Sequence, residues 1–173
     1  MVARSRGVDI LSQGSGNPGA SNVARVLGSK WGALVFALDA LKGALPAVAG
    51  LIVDSRPGAY LLVSAAVLGH MFPLTRRFRG GKGVATMGGA MLALHPLTSL
   101  VLLAVWLVAR KITGKASLAS LLITIGLPIG IAVSGAPAWE IVYVVALCAL
   151  VLVRHVDNIK RLIGRRELSA SNR

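Results

Sequence analysis

The sequence predicts an all-α fold, a polytopic bundle of about six membrane helices, and three observations support this. Apolar residues make up 55% of the 173 residues and charged residues only 14%, whereas a soluble domain is about a quarter charged. The apolar residues form long runs, more than one small core can bury. Basic residues cluster between these runs, the pattern that the positive-inside rule produces. Lipid is therefore the predicted surrounding of the runs.

Five apolar runs contain the predicted membrane helices. A helix needs about 20 apolar residues to cross the membrane, with a range of about 17–25. Four runs have that length, and Val84–Ala109 is longer. The runs are Ala33–Val53, Gly58–Leu74, Val84–Ala109, Ala116–Ser134 and Pro137–Val153.

A helical hairpin is predicted at His95-Pro96, near the middle of Val84–Ala109, because proline breaks the hydrogen-bond ladder. If the chain turns back at this point, seventeen of the nineteen Lys and Arg residues lie on one side of the membrane. If Val84–Ala109 crosses the membrane once, the basic clusters before and after it lie on opposite sides, which the positive-inside rule disfavours. The arms, of 11 and 14 residues, would be about 16 and 21 Å long. They therefore need shielding by neighbours or a thinned membrane. Both termini are expected in the cytoplasm.

Net charge and cysteine content exclude other classes. A charge of +13 suggests nucleic acid in a soluble protein, but here the basic residues lie in short clusters between apolar runs. No nucleic-acid partner is predicted. The single cysteine, Cys148, lies inside an apolar run and is expected to be a small buried residue. No metal-type cysteine spacing exists, and no metal or other cofactor is predicted.

The first of three polar segments, GSGNPGASNVAR at residues 14–25, is rich in glycine and small hydrogen-bonding side chains. Backbone N–H groups and Ser or Asn side chains can hold phosphate oxygens, and Arg25 can add a bidentate contact. A flexible loop with a helix cap at Ser21 or Asn22 is an equally good interpretation.

The second segment contains Gly80-Gly81-Lys82-Gly83 before an apolar run, an arrangement that suits an anion, although the Walker A spacing is absent. A positive-inside cluster explains Arg76, Arg77 and Arg79. It does not explain the glycines, which are costly where no special backbone is needed. His70, just upstream, is either a polar contact or a structural residue.

The third segment follows the last run. His155 and Asn158 are three residues apart and share a face if the segment is helical, and histidine can act as a base near neutral pH. The alternative is an amphipathic basic helix on the membrane. It accounts for residues 160–166 but not for His155, Asp157 and Asn158.

Polar residues also occur inside or at the edge of the runs. Asp39 and Lys42 are three residues apart in the first run, where a structural ion pair and a substrate contact are equally good interpretations. Ser117 and Ser120 open a later run, and helix capping is their simplest role.

Together the segments resemble the PlsY type of glycerol-3-phosphate acyltransferase, the bacterial acyl-phosphate-dependent family. The matching stretches are residues 14–25, GHMFPLTRRFRGGKGVAT at 69–86, residues 155–167 and LDALKGALP at 38–46. The resemblance implies a bacterial inner-membrane enzyme with its motifs on the cytoplasmic face. It implies transfer of the acyl group from long-chain acyl phosphate to the 1-hydroxyl of glycerol 3-phosphate, releasing inorganic phosphate. Functional coupling to a soluble enzyme that produces acyl phosphate would follow.

The resemblance also assigns site residues. The catalytic set is His155, Asn158, Lys82 and Arg25, and the substrate-binding set is Ser15, Gly16, Asn17, Asn22, Gly80, Gly81, Gly83, Thr86, Ser117, His70 and Asp157. Ser21 stands where the family usually has threonine and keeps the hydroxyl. Family members have seven membrane helices, one of them before the first motif, but only 13 residues precede Gly14 here. We therefore expect residues 1–173 to form a single domain without that first helix.

Three alternative functions compete with the acyltransferase. A permease or binding module for phosphorylated solutes would use the same cationic loops, but transporters place their sites near the membrane midplane. A structural subunit leaves the glycines at 80–83 unexplained. An acyl-CoA-dependent enzyme of the His-x4-Asp type is disfavoured because no histidine has an aspartate five positions on.

Overall fold

The computed structural model describes residues 2–53 and 55–170 and contains eight α-helices. They are α1 (Ala20–Leu27), α2 (Ser29–Val53), α3 (Arg56–Met71), α4 (Val84–Leu94), α5 (Pro96–Thr113), α6 (Ala116–Val133), α7 (Ala138–Val153) and α8 (Val156–Ile163). The described residues contain no strand, so the predicted all-α class is confirmed. Arg173, counted above in the basic tail, lies outside the described residues.

The outer surface of the bundle is apolar. Ile52 is 78% exposed and Val142 is 68% exposed, and α5 has no buried residue. Among the described residues, four helical segments are long and apolar enough to cross a membrane: α2, Arg56–Arg76 (α3 and the turn after it), α5 and α6. The pair α7 and α8 forms a fifth unit, bent by 59°. Apolar surface of this extent requires contact with lipid. The chain is therefore a multi-pass membrane protein, whose predicted helices correspond to α2 through α7.

The helix break at His95-Pro96 is confirmed. His95 has φ of −137° and ψ of 68°, and Pro96 opens α5, a position where proline loses no hydrogen bond. The first arm has the predicted 11 residues, but the second has 18 and extends to Thr113. The predicted end was too early because basic residues are favourable in the last turn of a helix. Arg110 also lies over the Trp106 ring, 5.3 Å from its centroid.

Glycines let α2 and α4 approach closely. A Cβ on Gly43 would overlap the backbone at Thr86, and a Cβ on Gly89 would overlap the backbone at Ala40. Close backbone contact of this kind is a main source of helix association in lipid, where the hydrophobic effect does not drive it. The contact holds the beginning of α4, and the loop that precedes it, beside the middle of α2.

A buried carboxylate joins helices at the other end of the bundle, where α3 and α7 begin. Glu140 accepts hydrogen bonds from Arg56 Nε at 2.7 Å and Nη2 at 2.6 Å, and from the Tyr60 hydroxyl at 3.0 Å. The His95 Nε2 atom lies 2.7 Å from the Tyr60 hydroxyl oxygen and 3.0 Å from Glu140 Oε2. This cluster holds the break between α4 and α5 against α3 and α7.

We expect Glu140→Gln to lower the free energy of unfolding by about 2 kcal/mol, because the buried carboxylate that accepts hydrogen bonds from Arg56 and Tyr60 is lost while Arg56, 43% exposed, stays partly hydrated. Circular dichroism during unfolding in mixed micelles measures the loss. Asp157→Asn is the control, because Asp157 is exposed and its charge at the start of α8 is worth less than about 1 kcal/mol. Equal losses in the two variants would contradict the proposed importance of the cluster.

Candidate active site

Asn22 organises the glycine-rich loop before α1. Its Oδ1 accepts hydrogen bonds from the Ser15 N–H at 2.8 Å and from Arg25 Nη1 at 3.0 Å, and its Nδ2 donates to the Gln13 carbonyl at 2.9 Å. Gly14 has φ of 59°, which favours glycine, and a Cβ there would meet the Asn22 side chain. Asn22, predicted as a substrate contact, thus holds Ser15 and Arg25 in place.

The capping interpretation of Ser21, Asn22, Ser117 and Ser120 is wrong. Both α1 and α6 begin without a side-chain cap hydrogen bond, α1 after a glycine and α6 after a lysine. Ser117 instead lines the cavity described below. Ser120 accepts a hydrogen bond from the Trp106 indole at 3.1 Å and so connects α6 to α5. Ser120 was misassigned because capping is a local rule, whereas its partner comes from another helix.

Lys82 reaches the site from the glycine loop before α4. Gly83 has φ of 84°, and the tight turn there directs the lysine towards α8, where its Nζ donates to Asn158 Oδ1. Burial, followed by the nearby charge of Arg161, lowers the pKa of Lys82 to about 8. An anion in the site would favour the protonated amine.

His155 lies at the bend between α7 and α8 and is 2% exposed. Its Nδ1 is 2.8 Å from the carbonyl oxygen of Val151. A carbonyl can only accept, so Nδ1 carries the proton and Nε2 keeps a lone pair. Burial, and then the charge of Lys82, lowers the pKa of His155 to about 4. The ring is therefore neutral at neutral pH, and Nε2 can accept a proton.

A chain of hydrogen bonds continues from Lys82 through Asn158 to Glu167. Asn158 Nδ2 donates to Glu167 Oε1 at 2.6 Å, and Arg161 Nε donates to Oε2 at 2.9 Å. Burial raises the pKa of the Glu167 carboxyl. Hydrogen bonds from Ser117, Asn158 and Arg161 outweigh this effect and hold that pKa below its ordinary value. Sequence reasoning missed Glu167 and Arg161 as site residues. One available signal was that Glu167 is the last acidic residue in a basic tail.

One cavity of about 260 Å³ brings the three polar segments together. Its polar end is lined by Ser15, Asn17, Asn22, Arg25, Asp39, His70, Lys82, Ser117, His155, Asn158 and Glu167. Its other end is an apolar groove between α4, α5 and α6, lined by Met87, Met91, Leu92, Leu102, Leu103, Ile123 and Leu127. The cavity can therefore hold anionic groups at one end and an aliphatic chain at the other.

Ten of the fifteen predicted site residues line this cavity: Ser15, Asn17, Asn22, Arg25, His70, Lys82, Gly83, Ser117, His155 and Asn158. The other five, Gly16, Gly80, Gly81, Thr86 and Asp157, do not. Gly80 and Gly81 border a second cavity beside His70, and Gly16 forms a turn with φ of 68°. Thr86 is buried and Asp157 is exposed.

Asp39 and Lys42 form the ion pair that their spacing allows, with 2.7 Å between Nζ and Oδ1. Asp39 is also part of the cavity wall, 3.6 Å from His70 Nδ1. The structural ion pair is therefore confirmed, whereas a substrate contact by Asp39 stays a prediction. Cys148 is buried among apolar side chains, as predicted.

Within residues 2–53 and 55–170, no three or more His, Cys, Asp or Glu side chains are grouped in a way that could hold a metal ion. What the described residues do assemble is a set of cations, hydroxyls and amides suited to phosphate groups.

Comparison with solved structures defines the class of protein. The chain matches PlsY (YgiH), an integral membrane glycerol 3-phosphate acyltransferase in its glycerol 3-phosphate form, with a TM-score of 0.93 and 40% identity. The match covers 97% of this chain and 85% of that chain. The lysophosphatidic acid form of PlsY gives a TM-score of 0.90 at the same identity and coverage. The fold is that of an integral membrane acyltransferase.

Sequence comparisons narrow this class to a family. The family model described as glycerol-3-phosphate acyltransferase matches residues 1–165. The enzyme of that name from Aquifex aeolicus is 42% identical over 170 residues, covering 96% of this chain and 88% of the relative. The one from Rubrobacter xylanophilus is 39% identical over 164 residues, covering 94% and 82%. The chain belongs to the glycerol-3-phosphate acyltransferase family.

Proposed function

We propose that the protein transfers the acyl group of acyl phosphate to the 1-hydroxyl of glycerol 3-phosphate, giving lysophosphatidic acid and inorganic phosphate. This reaction would begin phospholipid synthesis. The observation that carries the proposal is the continuity of a cationic polar end with an apolar groove in one cavity. An amphipathic anion fits both ends, and a small phosphorylated polyol fits the polar end alone.

Two cations and three uncharged donors are available for the two substrate phosphates. Arg25 can bind one phosphate through two parallel N–H groups, and Lys82 offers a compact charge. Ser15, Asn17 and Ser117 line the same end of the cavity and add hydrogen bonds. A bound phosphate raises the pKa of Lys82 from about 8, so that substrate binding keeps the amine protonated.

The acceptor hydroxyl loses a proton as it attacks. Its oxygen bonds to the acyl carbon, the bond from that carbon to the phosphate oxygen breaks, and the electron pair leaves with inorganic phosphate. Nε2 of His155 takes the proton. Bound phosphates raise the pKa of His155 from about 4 and make it a stronger base. Acyl phosphate is already activated, so positioning and charge stabilisation suffice without a covalent acyl-enzyme.

Gly88 keeps the apolar groove open for the acyl chain. It lies inside α4, where glycine costs about 1 kcal/mol relative to alanine. A Cβ at Gly88 would meet no atom within 4 Å, whereas a Cβ at Gly89 would overlap α2. Helix packing therefore explains Gly89 but not Gly88, which borders the cavity. We place part of the acyl chain in the space beside Gly88.

Gly88→Leu is expected to lower kcat/KM for palmitoyl phosphate by about 10- to 100-fold, because its side chain fills the groove. Acetyl phosphate, which does not enter the groove, should be affected far less. The measurement is phosphate release with each donor. Gly69→Leu is the control, because Gly69 is also helical with open space around it and lies outside this cavity. Gly69→Leu should leave the ratio of kcat/KM for the two donors unchanged. Equal losses of kcat/KM for both donors in Gly88→Leu would argue against the groove.

The donor itself is tested with purified protein in nanodiscs. Incubation with acyl phosphate and glycerol 3-phosphate should release phosphate and form lysophosphatidic acid in equal amounts. Parallel incubations contain acyl-CoA or acyl carrier protein thioester in place of acyl phosphate. Product from either thioester, with none from acyl phosphate, would refute the proposed donor.

We also propose a location in the bacterial inner membrane with the polar end of the cavity facing the cytoplasm. The support is charge, since sixteen of the eighteen Lys and Arg residues that the structure describes lie in segments that the helix order assigns to that side. Functional coupling to a soluble enzyme that produces acyl phosphate is consistent with this orientation.

Cysteine labelling in a chain lacking Cys148 tests the orientation. Asp157→Cys should react with an impermeant maleimide only in inverted vesicles. Ser134→Cys should react with the same reagent only in spheroplasts.

A further inference from the structure

Two hydrogen bonds connect Arg154 to the glycine loop that carries Lys82. Arg154 lies at the end of α7, where its Nη2 donates to the Gly80 carbonyl at 2.9 Å and its Nε to the Gly81 carbonyl at 3.3 Å. Its guanidinium also lies 5.5 Å from the centroid of the Phe72 ring, directly after α3. One side chain thereby joins the end of α7 to the segment between α3 and α4.

The same loop is held on its other side by α3. The Gly81 N–H donates to the His70 carbonyl at 3.2 Å, and a Cβ on Gly80 would overlap backbone carbonyls at the end of α3. Beyond these glycines, Lys82 is bonded to Asn158. Arg154 and Asn158 are four residues apart, on either side of the bend between α7 and α8. This short stretch therefore holds the backbone and the lysine of the loop at the same time.

We propose that Arg154 is a positioning residue that sets, through the Gly80 and Gly81 carbonyls, where Lys82 meets the substrate phosphate. Arg154 does not line the cavity, so it acts through the loop and not on the substrate. A planar guanidinium presents parallel donors that match two successive carbonyls, whereas an ammonium does not. The inference rests on the proposed role of Lys82 in phosphate binding.

The test measures glycerol 3-phosphate binding by calorimetry, which requires no acyl donor. Arg154→Ala removes both hydrogen bonds, and the Kd for glycerol 3-phosphate should rise about 10- to 100-fold. Millimolar guanidinium should restore binding, and ammonium at the same concentration should not. Arg79→Ala is the matched control, because Arg79 is exposed in the same polar segment and its loss removes the same charge.

Three results would overturn the proposal if Arg154→Ala is folded by circular dichroism. They are an unchanged Kd, an equal rise in Arg79→Ala, and a loss of binding that guanidinium fails to restore. If the alanine variant does not fold, Arg154→Lys replaces it. That variant keeps the charge but should bind glycerol 3-phosphate more weakly, and wild-type affinity would overturn the proposal. Failure of transfer from acyl phosphate would refute the proposed donor and leave this binding test unaffected.

Discussion

His155→Ala is expected to lower kcat by about 10²- to 10⁴-fold, the usual contribution of a general base. The KM for glycerol 3-phosphate should change far less, because phosphate binding is assigned to the cations and hydroxyls. The structural basis is the hydrogen bond from Nδ1 to the Val151 carbonyl, which leaves Nε2 with its lone pair. Steady-state kinetics of phosphate release give both constants.

A glutamine at position 155 tests whether the His155 ring itself takes the proton. His155→Gln keeps hydrogen-bonding capacity but cannot accept a proton, so it should be as inactive as the alanine variant if the ring is the base. Near-wild-type activity would show instead that His155 only orients a substrate phosphate that takes the proton. Because the pKa of His155 is about 4 in the free protein, kcat/KM should fall as the pH drops through that value and the ring becomes protonated.

Lys82→Met is expected to lower kcat/KM by about 10²- to 10³-fold, the range found when a donor that stabilises transition-state charge is removed. The methionine also leaves Asn158 without the hydrogen bond from Lys82. Lys160→Met, which removes the same charge from an exposed position in α8, is the control and should stay close to wild type. Similar losses in both variants would mean that general surface charge matters more than the placement of Lys82.

Lys82 also predicts an alkaline limb in the pH profile. In the free protein the amine loses its proton as the pH rises through about 8, and only the protonated amine attracts phosphate. The value of kcat/KM, which reports on the free enzyme, should therefore decline above that pH. In Lys82→Arg the side chain stays charged, so the decline should disappear from whatever activity remains. An identical alkaline limb in both proteins would assign it to another group.

Local signals in the sequence account for the parts of the fold that were predicted correctly. Proline at position 96 ends α4, with His95 outside the helical region as expected for a residue before proline, although Pro46 and Pro128 lie inside α2 and α6. Charge at the ends of the apolar runs located the segments that form the polar end of the cavity. The C-terminal end of α5 was missed because hydropathy ends at the first charged residue, whereas a helix continues when basic side chains suit its last turn.

By itself the sequence determined the membrane helix bundle, its break and the segments that carry the site, because hydropathy, proline and charge act on neighbouring residues. Only the tertiary structure decided which side chains meet. Arg154 contacts Gly80 across 74 residues, and Arg56 contacts Glu140 across 84. Glu167 accepts a hydrogen bond from Asn158, whereas Asp157, the residue directly before Asn158, is exposed. Such contacts depend on how helices are placed against one another, and no local pattern encodes that placement.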